Sequence, residues 1–212
     1  KGGSGGALFA SNDFGDLPGI RADIKFKSGV LIANNQADVD GGGVNIIESD
    51  LTCHETNVND NSAANGGGVS LSRSFLGGAV HLSRNRAVGS IIKTGNGGAI
   101  NAGGSAIDVK CSSFFANEAR DDGGAIYAIF STITLQENTT CASNIAERGN
   151  GGAISFSMRS SCRFSSTSFS NNKASDGEGG DLHGKSSNEL QIVQSVLGSG
   201  SFAKHGGCVG VE

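Results

Sequence analysis

Apolar and polar residues alternate with a period of two in short runs bounded by glycine or small polar residues. Ile129-Phe130-Ser131-Thr132-Ile133-Thr134-Leu135 and Ala106-Ile107-Asp108-Val109-Lys110 are two of them. Such β-branched, glycine-bounded runs predict strands. They sit inside a longer unit. Six times an Asn is followed two residues later by Ala: Asn35, Asn61, Asn85, Asn117, Asn144 and Asn172. Three residues before each Asn stands an apolar residue: Ile32, Val58, Leu82, Phe114, Cys141 or Phe169. Gly pairs begin at Gly5, Gly41, Gly66, Gly97, Gly123, Gly151, Gly179 and Gly206, mostly followed by a small residue and then an aliphatic one. The steps between pairs are 36, 25, 31, 26, 28, 28 and 27 residues, and a degraded seventh unit has Ser201 in the Asn place.

A period near 27 with two or three short strands per unit predicts stacked coils. The expectation is an all-β, right-handed parallel β-helix (a β-solenoid) of seven to eight coils, spanning residues 1–212 as one domain. The hand follows the preference for right-handed crossovers. At about 4.8 Å per coil the stack is ~34 Å long. Residues matched by position should form columns. One is Ile32, Val58, Leu82, Phe114, Cys141 and Phe169. A second, seven residues earlier, is Leu51, Phe75, Ile107 and Cys162, with Ile133 one residue out of step. The Asn column predicts a buried ladder at a corner, since an amide has two donors and an acceptor to share with the copies above and below. The Gly pair predicts a second corner, one glycine taking positive φ and the residue after the pair facing a tight space.

Composition removes the helical alternatives. The chain has 35 Gly in 212 residues, and glycine costs a helix interior roughly 1 kcal/mol per residue. With a net charge of −4, no basic face for nucleic acid is expected. The five cysteines 53, 111, 141, 162 and 208 lack metal-ligand spacing. Cys141 and Cys162 fall in apolar columns and read as small core residues; the odd count leaves at least one thiol unpaired within the chain. No cofactor is expected.

Two stretches lengthen the repeat. Residues 11–23 carry Phe14, Leu17 and Ile20 and the only proline; residues 86–96 carry Ile91 and Ile92. Insertions in a solenoid become loops off one face, and the first is the preferred binding loop. Charged residues gather between the Asn and the Gly pair, where Asp121-Asp122 is the best candidate for a calcium site.

The alternation of Gly-Gly-Ala-Ile with Phe-x-x-Asn resembles the motif pair of the chlamydial polymorphic membrane proteins. The copies are Gly97-Gly98-Ala99-Ile100, Gly123-Gly124-Ala125-Ile126 and Gly151-Gly152-Ala153-Ile154, with Phe114 to Asn117 and Phe169 to Asn172. The resemblance spans about residues 5–209; several coils depart from it, with Ile, Val, Leu or Cys for the Phe and Gly-Gly-Gly-Val for Gly-Gly-Ala-Ile. It implies a fragment of an autotransporter passenger, without its signal peptide or its outer-membrane β-barrel. It also implies a bacterial cell-surface or outer-membrane location, with secretion after processing an open variant. The implied role is adhesion to a host cell-surface receptor, protein or glycan, with the motif residues tied to it, and no enzymatic activity. Self-association through uncapped ends is expected. Two alternatives stand beside it: a polysaccharide lyase or hydrolase, by analogy of fold, and a purely structural stalk. The enzyme would need paired carboxylates and ring-holding aromatics, whereas the chain has no Trp and one Tyr, Tyr127.

Overall fold

The computed structural model describes residues 3–11, 21–91, 94–186 and 189–211. These residues form strands and turns and no helix, and every strand pairing is parallel. The chain winds into a β-solenoid of about seven turns. Each full turn contributes to three sheets. The first has eight strands, from Leu8–Ser11 through Val44–Ile47, Val69–Ser72, Ile100–Gly103, Ile126–Ile129, Ile154–Ser157 and Leu182–Lys185 to Val209–Val211. The second has twelve and takes two segments from most turns, such as Ala106–Lys110 with Ser113–Phe115. The third is built from six short strands, such as Ser62–Ala63 and Glu118–Ala119.

The core is a stack of columns. Ile32, Val58, Leu82, Phe114, Cys141 and Phe169 are successive strand partners, all buried, as the repeat predicts. A T-shaped contact between Phe164 and Phe169, centroids 5.3 Å apart, joins neighbouring columns. The second column needs correction. It runs Leu51, Leu76, Ile107, Ile133, Cys162 and Leu190. Leu76 replaces the expected Phe75, which is half-buried on the outer face. Ile133 is in step. The slip comes from corner length. The turn between Cys53 and Thr56 is one residue longer than its counterpart between Gly78 and Val80. The corner at Glu137 and Asn138 instead has two left-handed residues where the coil before it has one, Cys111.

The Gly pair works as expected at its first position and adds a demand at its second. Gly123 has φ +68°, and a side chain on Gly124 would run into the carbonyl of Gly152 in the next coil. One glycine turns the chain and the other lets two backbones touch.

Candidate functional site

The corners are built by one rule. Outside the Gly-pair corner, one or two left-handed residues precede a buried Asn, Ser or Thr in most coils. At the Asn corner the left-handed residues are Asn34, Asp60, Arg84, Ala116, Ser143 and Asn171. The ladder Asn is therefore the residue after the left-handed one. Asn61, Asn85, Asn117, Asn144 and Asn172 are buried, while Asn35 at the N-terminal end is partly exposed.

Each of the five buried amides is saturated. Asn117 Oδ1 accepts from both the backbone N–H (3.0 Å) and Nδ2 (3.1 Å) of Asn85. Its Nδ2 donates to Asn144 Oδ1 at 3.0 Å and to the carbonyl of Leu82 at 2.9 Å. The same set recurs at Asn61, Asn85 and Asn144. Two donors and two lone pairs find partners inside a dry corner, which is the condition for burying an amide.

The C-terminal end of the ladder differs. Ser201 takes the Asn place and accepts the backbone N–H of Asn172 at 3.3 Å. It is too short to meet Asn172 Nδ2. Asp181, at the Ala place of its Gly-Gly motif, supplies the missing acceptor at 2.8 Å. Its carboxylate, fully buried, also accepts from Ser201 Oγ, the backbone N–H of Gly198 and Cys208 Sγ. The departure from Gly-Gly-Ala-Ile here is a coordinated replacement rather than a loosened rule. Burial, aided by Asp181, pushes the Cys208 thiol up to about 11.

Two further ladders went unread in the sequence. Ser49, Ser74, Ser105, Ser131 and Ser160 line the corner between the first and second sheets. Each backbone N–H donates to the hydroxyl of the next copy at 3.0–3.3 Å. Ser112, Thr139 and Thr167 hold the bend within the second sheet. Their signal was spacing: the serine copies step by 25, 31, 26 and 29 residues, the rhythm of the Gly pairs. The residues before the Gly pairs make another polar column. Asn96 Oδ1 accepts the N–H of Asp122, Asp122 Oδ1 that of Asn150, and Asn150 Oδ1 that of Glu178, at 2.7–3.0 Å. Asp121 Oδ2 accepts the N–H of Gly95 at 2.8 Å. The carboxylates considered for calcium thus hold backbone amides, and no cluster of metal-ligating side chains occurs among the described residues.

The motif residues lie inside. Gly97, Gly98, Ala99, Ile100, Phe114, Asn117, Gly123, Gly124, Ala125, Ile126, Gly151, Gly152, Ala153, Ile154, Phe169 and Asn172 are all buried. They shape the coil and lie away from its outer faces. The candidate loop residues Phe14, Leu17 and Ile20 lie outside the described residues, as does Ile92; Ile91 is fully exposed. Phe130 and Met158 stand exposed at successive corners, and Phe115 is exposed on the second sheet. Ion pairs such as Arg84–Asp60 tie neighbouring coils on the surface, the guanidinium holding the Asp60 carboxyl below its usual range; exposed pairs of this kind add little stability.

The outer face of the second sheet carries a cleft of about 290 Å³ lined by Thr52, Phe75, Gly77, Gly78, Asp108, Lys110, Gln136 and Glu137. Gln136 Nε2 donates to Asp108 Oδ1 at 2.7 Å, and Lys110 Nζ lies 3.4 Å from Glu137 Oε2. No protein-family model, curated protein or solved structure matches this chain.

Proposed function

We propose that this chain is part of a surface-exposed autotransporter passenger that attaches its bacterium to a host cell-surface receptor, with no catalytic step. The observation that carries the reading is the alternation of Phe-x-x-Asn and Gly-Gly-Ala-Ile along the chain, the pattern of the chlamydial polymorphic membrane proteins. A regular rod suits adhesion because weak contacts on several coils add through effective concentration. Burial of the motif residues supports recognition by the outer surfaces, with the motifs as the frame that spaces them. The same burial favours one competing reading, a stalk that only holds a distal head away from the membrane.

Beads coated with the chain separate the two. Binding to epithelial cells above uncoated beads is the expected result. Replacing Phe14, Leu17 and Ile20 by Ser should lower it with the melting temperature unchanged. Undiminished binding moves the contact to the outer sheet faces, and absence of binding by the unaltered chain selects the stalk.

A further inference from the structure

The cleft on the second sheet coincides with breaks in the repeat. The outward row at that level reads Lys25, Thr52, Gly77, Asp108, Thr134 and Arg163. Gly77 is its one glycine, and it belongs to a Gly pair that lies off the period, inside a strand. The corner after Gly78 is the one that is a residue short. Two coils on, the doubled left-handed corner at Glu137 and Asn138 pushes Glu137 out beside Lys110. A deleted side chain, a shortened corner and a lengthened one all shape the same depression. The Phe75 ring leans into the space vacated at 77: an added Cβ there would lie 2.6 Å from Cε1 and Cζ of the ring.

The lining selects the ligand. At about 290 Å³ the cleft lies at the small end of ligand sites, enough for one ring-sized group. An anion meets two carboxylates against one ammonium. A cation competes with Lys110 for Glu137 and brings no acceptor for the Gln136 amide, the Thr52 hydroxyl or Lys110. A wholly apolar group would strand the polar half of the wall. A neutral polyhydroxylated ring with one apolar face meets every demand: its C–H face lies on Phe75, and its hydroxyls bond Asp108, Gln136, Glu137 and Thr52. We propose that this cleft is a binding subsite for a neutral pyranose unit of a glycan. The proposal rests on the adhesive reading for its biological use and stands on its own as a binding claim.

The test is amide NMR of the full chain titrated with glucose, galactose, N-acetylglucosamine and N-acetylgalactosamine, with n-butylamine as the cation probe. At least one sugar should shift Gly77, Gly78 and the Gln136 side-chain amide, saturating in the millimolar range. Phe75→Ala and Gly77→Val should each weaken it at least tenfold. Gly77→Val puts a Cβ where the Phe75 ring now leans, so it must displace that ring, while a β-branched residue suits an outward strand position. Arg163→Ala, three coils from Gly77 on the same row and outside the cleft lining, should leave binding unchanged. No shift with any sugar, shifts that survive both variants, or a response to butylamine alone overturns the subsite. Cell attachment that persists without a sugar response removes the cleft and keeps the adhesin. A sugar response without attachment does the reverse.

Discussion

The middle of the Asn ladder and its C-terminal end solve one problem with different chemistry. Between Asn61 and Asn144 each amide is donor and acceptor at once, and the column repeats itself. At Asn172 the column stops repeating, because Ser201 offers one short oxygen where an amide would offer two functions. A donor pointing along the axis then needs an acceptor, and Asp181 provides it from a different corner, taking three further donors with it. The comparison teaches that the repeat conserves a hydrogen-bond balance rather than a residue. Asn, Ser and Asp are interchangeable there only as sets.

Breaking the middle should cost most. Asn117→Ala strands both donors of Asn85 and the carbonyl of Leu82, for about 3 kcal/mol or more, near 10 °C in melting temperature. A change below 3 °C would show that water enters the corner.

Breaking the end should cost less. Asp181→Ala restores the motif residue yet leaves Asn172 Nδ2 and the Gly198 N–H without acceptors, while the Ser201 and Cys208 hydrogens can rotate away; about 2 kcal/mol is expected. Adding Ser201→Asn should recover at least half of it, since the two sites are coupled. Strict additivity in thermal melts would mean that Asp181 and Ser201 do not share the ladder's last donor.

Alkali sharpens the contrast through the thiols. Burial raises Cys141 in the mid-stack column well above its ordinary value of 9.0. The folded chain then keeps a proton that the unfolded chain releases above about pH 9, so stability falls as pH rises through that range. Each such thiol contributes about 1.4 kcal/mol per pH unit. Urea melts at pH 9 and 10 should show a loss shallower by about 1 kcal/mol for Cys141→Ala than for the unaltered chain, since the unfolded thiol is only half ionised at pH 9. Cys208→Ala at the end, where the thiol is raised only to about 11, should match Cys141→Ala in this range and fall behind it above about pH 11. Equal slopes for all three proteins would place water around Cys141.

The smallest effect is expected at Asn57→Ala, on the outer face and off the column, within about 0.5 kcal/mol of the unaltered chain.

The fold was legible because stacking makes every coil face the same constraints, so Gly123, Asn117 and Phe114 echo their copies at a fixed step. What failed was counting through corners. Counting by the repeat puts Phe75 in the core because its coil is a residue short there, and nothing in Gly77-Gly78-Ala79 announces that. The serine ladders were hidden by commonness. Ser105 and Ser131 look like any surface serine until their spacing is set beside that of the Gly pairs. The left-handed residues themselves gave no signal: Arg84, Phe130 and Met158 adopt that conformation because the buried polar residue soon after them is held. The cleft was partly visible, since Gly77-Gly78 falls off the period, but its walls come from three coils and only the register brings them together.

The parallel stacking has a mechanical side. Hydrogen bonds between coils run along the rod, so a pull spread over both end faces loads a whole layer at once: three sheets and the corner ladders share the force in parallel. A pull through one strand of the last coil loads the bonds one after another, as a zipper. There the carboxylate of Asp181, gripping Asn172, Gly198, Ser201 and Cys208 together, acts as a rivet: peeling must break several contacts in one step before the next coil feels the load.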